Sequence, residues 1–189
     1  MMNKQGSIKL IHIIIILIVI ALLGFAVWQI ISNHQGNIRS EIVMAKLEEI
    51  IPNLGVDTDE STGAGRDPLA AGSVDGIDIV GVLEIPALNI NAPVTGQSDH
   101  EEFFASWLSG SPVQGHFQVL GGKDDLFRKL SKLKPGDRVY FTDIDGVRYR
   151  YEVTTQYHLK KWDVGENDMQ LCYETDNDTY FVVGCGISQ

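Results

Sequence analysis

Positive charge is scarce in this chain: 15 Lys and Arg stand against 25 Asp and Glu in 189 residues, a formal net charge of −10. A nucleic-acid footprint needs clustered Lys and Arg, so that balance argues against a nucleic-acid partner. It argues equally against a polybasic grip on anionic lipid. Cysteine is scarcer still, with only Cys172 and Cys185. Their spacing forms no CxxC metal motif, and one bridge does not make a disulfide scaffold.

Apolar residues are present in quantity and unevenly spent. From Leu10 to Ile31 the chain reads LIHIIIILIVIALLGFAVWQII, with Lys4 and Lys9 the only charged side chains before Asn33. A helix of that length spans roughly 33 Å at about 1.5 Å per residue, enough for a hydrocarbon core of about 30 Å. The upstream lysines orient it with residues 1–9 in the cytoplasm and everything after the span outside the cell. A cleaved secretory signal is the rival reading. Val27, Trp28 and Gln29 offer a poor cleavage context, so residues 10–32 are read as an uncleaved signal anchor. The expected location is the cell membrane, in a single pass.

Residues 33–76 read as a stalk helix followed by an acidic tether. Ile38, Ile42, Val43, Leu47, Ile50 and Ile51 recur at helical spacing, and the stretch after Asn53 turns to Gly, Asp, Ser and Thr. The globular part is expected over 77–189, mostly as short strands. IVGVLEI and NINAPV flank a Pro-containing corner, FQVL lies between glycines, and TYFVVGC is a last apolar strand. RVYFTD and VRYRYEVTT pair as a hairpin across an Asp-Gly turn. LFRKLSKL is the one short helix. The fold class is therefore mainly β, a β-barrel with short helices behind a transmembrane helix.

In that order the segments GVLEIPALNINAPV, GSPVQGHFQVLGG, LFRKLSKLKPGDRVYFTDIDGVRYRYEV and FVVGC resemble the sortases. These are membrane-anchored cysteine transpeptidases of Gram-positive bacteria, and the likeness leans to classes B and D. The resemblance implies a Cys thiolate that attacks a sorting motif at the C-terminus of a secreted protein. An amine on a cell-wall precursor or a pilin then resolves the thioacyl-enzyme. A His protonates the leaving amine and an Arg stabilises the oxyanion.

Carried onto this chain, the resemblance puts Cys185 in the nucleophile position at the end of an apolar strand. It assigns no role to Cys172, which reads as part of a polar loop. The histidine has two registers. Aligning GHFQVLGG end to end puts Gly122 in its place, while matching Gly-His by identity selects His116 as the acid. The first keeps the strand pattern and is preferred. The family's Arg lies on the strand after the Cys, where this chain has only Gly186 to Gln189. Arg and final strand are both expected to be missing, which would leave an open sheet edge. Arg148 and Arg150 are read as outward-facing.

No cofactor is expected. Calcium is the one ion weighed, for Asp124, Asp125, Asp143, Asp145, Glu166, Asp168, Asp176 and Asp178, and solvated loop carboxylates are the preferred reading. The expected function is an impaired sortase-like transpeptidase. The alternative is an inactive membrane-anchored binding module or the product of a truncated pseudogene.

Overall fold

The computed structural model describes residues 14, 16–25, 41–51, 54, 69–96, 105–122, 126–160, 165–175 and 179–188. The chain divides into two compact units, Met1–Ile38 and Arg39–Gln189. In the first, residues 16–25 are helical (α1), and Leu17, Ile20, Leu22, Leu23 and Phe25 are exposed. Among the described residues no helix is long and apolar enough to cross a membrane. The rest of the anchor expected over 10–32 lies outside them.

The described residues of the second unit form nine strands: β1 (Gly72–Val74), β2 (Ile77–Ile85), β3 (Ile90–Thr95), β4 (Ala105–Ser111), β5 (Gly115–Leu120), β6 (Arg138–Asp143), β7 (Arg148–Leu159), β8 (Met169–Thr175) and β9 (Thr179–Ile187). Two 3-10 elements join them, Pro86–Leu88 and Phe127–Lys132. The first is the Pro-containing corner, where Pro sets φ for the turn and Asn89 exits with φ +53°. Strands β1, β4 and β8 were not anticipated from the sequence, and the packed structure reaches upstream of residue 77 to the buried Leu69.

Pairing runs β2–β3–β4–β5–β8–β9–β7–β6, and β6 returns to β2. The circuit is closed, which corrects the expectation of a missing last strand. β9 is hydrogen-bonded along both sides, to β7 and to β8, so no gap waits for another strand beside it. The strand overlooked in the sequence was β8, and counting without it made the sheet look one strand short.

β2 reads as a nearly continuous apolar run because both of its faces are buried. Val80, Leu83 and Ile85 join the main core with Phe117, Phe141, Tyr151 and Leu171. Ile77, Ile79 and Val82 face the other way. A register shift between Ile79 and Gly81 lets the run change sides. That second face is covered by the helix of residues 41–50 (α2), through Val43, Met44, Leu47 and Ile51. Lys46 Nζ reaches Asp75 Oδ1 at 2.6 Å across the same contact. The helix expected as a stalk is thus part of the folded body, because its apolar stripe has a sheet face to bury.

The β6–β7 hairpin turns on Asp143. Its Oδ1 accepts from Val147 N at 2.8 Å and Asp145 N at 3.0 Å, and Tyr149 donates its OH to Oδ2 at 3.4 Å. Burial outweighs these bonds and raises the carboxyl pKa. A carboxyl raised on folding contributes its stabilisation when protonated, and loses it as pH rises through the folded value. Asp143→Asn keeps the acceptor for both amides but cannot ionise. Its stability relative to the parent chain is expected to increase between pH 4 and pH 7 in urea titrations. A gap that is flat or narrows with pH contradicts the burial argument.

Candidate active site

Two neighbouring strands carry the chemistry-bearing residues. β5 and β8 are parallel, with Phe117, Gln118, Val119 and Leu120 opposite Met169, Gln170, Leu171 and Cys172. The pairing extends one residue further, since Gly121 N donates to the Cys172 carbonyl at 2.7 Å. The next residue is Gly122. On the other side of β8, Cys172 pairs with Val182 and Glu174 with Tyr180 of β9. The end of β5 is therefore met by the end of β8 and the start of β9. Gly121 is held tightly there: a Cβ on it would lie 2.2 Å from Cγ of Phe127.

Side chains alternate across these strands. Val119, Leu171 and Val183 point into the main core. Leu120, Cys172 and Val182 take the opposite face. Cys172 is fully buried, and its S–H donates to the Val119 carbonyl at 3.3 Å. Burial pushes its pKa well above the ordinary thiol value. One row along, Ser109 Oγ donates to Gln118 Oε1 at 2.5 Å and Gln118 Nε2 to Gln170 Oε1 at 2.7 Å. Gln170 Nε2 then donates to Tyr157 OH at 2.9 Å. This buried amide chain stiffens the floor beside the thiol. Gly165 closes over it, for a Cβ there would sit 2.2 Å from Gln170 Nε2.

Cys185 lies elsewhere. It is on β9 opposite Met169 and Val153, inside the main core and fully buried. Desolvation alone pushes its pKa up to about 12. His116 stands at the start of β5, exposed, with φ +54° and Nδ1 3.1 Å from the Gly165 carbonyl. Six steps of strand, roughly 20 Å at about 3.3 Å each, separate it from Gly122. The structure assembles no Cys185–His116 pair. Each is committed to another task, one to core packing and the other to holding the Gly165 backbone.

The cysteines are both free. Their register partners on β8 and β9 lie three residues apart, about 10 Å, and they face opposite sides of the sheet. A disulfide needs Cα atoms within about 7 Å and converging Cβ vectors, so this pair cannot bridge without moving backbone. Arg148 also departs from expectation. It is only 6% exposed, gripping Glu84 through both terminal nitrogens at 3.0 and 2.9 Å, with its guanidinium carbon 4.3 Å from the Tyr140 ring centroid.

Among the described residues no group of three or more His, Cys, Asp or Glu side chains is placed to hold a metal ion. Of the carboxylates weighed for calcium, Asp143 is occupied by its own turn and Asp168 Oδ2 accepts from Ile187 N. Asp124, Asp125, Asp176 and Asp178 lie outside the described residues.

A family model described as the sortase domain matches residues 83–188, more than half of the chain. The chain belongs to the sortase family. Solved sortases share its fold at low identity. Sortase A from Corynebacterium diphtheriae superposes with a TM-score of 0.53 at 21% identity, over 60% of this chain and 62% of that one. A Clostridium perfringens sortase D5 transpeptidase gives 0.52 at 17%, over 59% and 80%. A C. perfringens sortase C, solved with the C-terminal cell wall sorting motif, gives 0.53 at 17%, over 78% and 88%. No curated protein matches the sequence.

Within this sortase the observed topology rearranges the residues read from the sequence. The strand that runs beside the Gly122 strand is β8, so the thiol next to Gly122 is Cys172, not Cys185. The strand that follows β8 is β9, which carries no Arg anywhere in TYFVVGCGI. A readable signal did exist for β8. Met169, Leu171 and Tyr173 alternate with Gln170, Cys172 and Glu174 at a period of two. The polar, acidic flanks on both sides hid it.

Proposed function

We propose that this sortase serves as a binding module for the sorting-motif peptide of secreted proteins, held at the outer face of the cell membrane by residues 10–32, and that its transpeptidase chemistry is impaired. One observation carries the reading: Cys172, whose strand end lies beside Gly122, is fully buried with its pKa raised, and the preferred register of the family resemblance gives Gly122 the acid's place. A thiolate nucleophile needs a nearby positive charge or an exposed, polar setting. Cys172 is flanked by Leu120 and Val182 instead. A missing general acid removes about 10²–10⁴ in rate, and a missing oxyanion donor about 10²–10³. The closed circuit of strands is retained, which supports binding without turnover. Transfer to a cell-wall or pilin amine is then not this chain's task.

The full chain in detergent, given a fluorogenic LPxTG-type peptide, is expected to show no cleavage above the buffer rate and to bind the peptide. Cys172→Ala and Cys185→Ala are both expected to leave binding unchanged. Cleavage lost in Cys172→Ala alone supports a weak transpeptidase with Cys172 as nucleophile. Cleavage lost in Cys185→Ala alone overturns the strand assignment, and absence of binding at millimolar peptide ends the module reading.

A further inference from the structure

Just before β8 the chain lies across the sheet it is about to join. The Gly165 carbonyl is 3.1 Å from Nδ1 of His116, at the start of β5. A Cβ on Gly165 would fall 2.2 Å from Gln170 Nε2 on β8 and 3.0 Å from Tyr157 OH on β7. Asn167 Nδ2 donates to the same Tyr157 OH at 3.5 Å. The Asn167 carboxamide also rests on Gly184 of β9, where a Cβ would lie 2.6 Å from its Cγ. Gly165 and Asn167 therefore touch four neighbouring strands, β5, β8, β9 and β7.

The face they cross is the one that carries Cys172. Gln118, Gln170 and Gly184 share it with Leu120, Cys172 and Val182, because Phe117, Val119, Leu171 and Val183 turn into the core. Cys172 is the next outward residue after Gln170 on β8. Its partner on β9, Val182, lies opposite Tyr157 on β7. The two rests of Gly165 thus stand one row before Cys172 and in the row of Cys172 itself. Gly184 lets the chain down onto the sheet, since a side chain there would take the space of the Asn167 carboxamide.

The fastening is polar and sparse. Gly165, Glu166 and Asn167 bring no apolar side chain to it. His116 is exposed, Gly165 and Asn167 are half-buried, and the Asn167–Tyr157 bond is long for a hydrogen bond. Beneath it, Gln118 and Gln170 are buried and bonded to each other at 2.7 Å. A segment with few buried apolar contacts opens at less cost than the sheet it covers.

We propose that residues 165–167 form a displaceable, self-inhibiting strap, and that an extended peptide reaches the Cys172 face by lifting it. The occupant is the sorting-motif peptide proposed for this protein, and the strap's role rests on that function. Extended peptide backbone offers an amide donor and a carbonyl acceptor at each non-Pro residue, so it can replace the contacts that Gly165 and Asn167 give up to His116, Gln170 and Tyr157.

The test compares the full chain in detergent with a His116→Gly/Asn167→Ala variant. Glycine suits residue 116, whose φ is +54°. Labelling by N-ethylmaleimide is followed at each cysteine by peptide mass mapping, and binding of an LPxTG-type peptide by anisotropy. In the variant Cys172 should label about tenfold faster or more, and the peptide should bind about threefold tighter or more. Cys185, on the core side, should keep the parent's rate. An unchanged Cys172 rate overturns the strap, and so does a parallel rise at both thiols, which marks loosening of the whole sheet. Faster Cys172 labelling with unchanged or weaker peptide binding overturns self-inhibition. Faster labelling with peptide bound by neither chain removes the occupant, and the fault then lies in the peptide-binding function and not in the strap.

Discussion

Gly81→Ala is expected to destabilise the folded domain by about 3 kcal/mol or more. A Cβ at this position would lie 2.3 Å from the Thr142 carbonyl oxygen and 2.7 Å from Cζ of Phe141. The ring can shift, but the carbonyl cannot, because it belongs to the strand that closes the sheet. Gly81 is opposite Asp143, and Val82, Leu83 and Glu84 continue the pairing with Thr142, Phe141 and Tyr140. To make room, β2 and β6 must separate at the only place where the circuit returns on itself among the described strands. Small-to-large changes in packed interiors cost about 1–3 kcal/mol when side chains alone must yield. A clash with ladder backbone adds lost hydrogen bonds to that. Against a typical total of about 5–15 kcal/mol, the loss should appear as a large drop in the urea midpoint. A midpoint within about 1 kcal/mol of the parent would show that β2–β6 closure is looser than its geometry.

Arg148→Ala should cost about 3–5 kcal/mol, since it strands a partner charge in a largely dry place. Arg148 and Glu84 are 6% and 17% exposed, and both terminal guanidinium nitrogens are engaged with the carboxylate. Arg148 Nε has no partner in the same setting. The pair is therefore incompletely satisfied, and its own net contribution is small beside the cost of breaking it. Replacing both together, Glu84→Leu with Arg148→Met, should recover most of the loss, because no buried charge remains. A double-mutant cycle by chemical denaturation separates the two statements. If Arg148→Ala costs under 1 kcal/mol, the pair behaves as a surface ion pair and the burial argument fails.

These two positions also show how far the residues alone can be read. The β6–β7 hairpin was legible because Asp145-Gly146 supplies a turn and Tyr149, Tyr151 and Val153 alternate with polar neighbours. The outward placement of Arg148 was drawn from that same alternation, and the direction was right. The error was to equate the outer face of a strand with solvent. Side-chain direction is a local property of the pleat, whereas burial depends on what else lies on that face. Likewise the helical spacing of Val43 and Leu47 announced a helix, and only the apolar outer face of β2 turned a stalk into a packed layer.

The cysteines carry the sharper lesson. By its sequence this chain was already determined to be acidic, to hold a long apolar run near its start and to be built mainly from short strands. The order of its segments resembled the sortases, and the preferred of two registers put Gly122 in the place of the family's histidine. The acidity, the apolar run and the strands follow from composition, from period, or from turn chemistry within a few residues, whereas the place of Gly122 is only what the resemblance implies. Which thiol lies beside Gly122 follows from neither. It depends on β8 pairing in parallel with β5, a contact between residues about fifty positions apart. No local pattern near Cys172 or Cys185 encodes it, because the pairing is chosen by the collective burial of Phe117, Val119, Met169 and Leu171 in one core. That long-range register puts Cys172 and not Cys185 beside Gly122, and it gives β9 hydrogen-bonded neighbours on both sides.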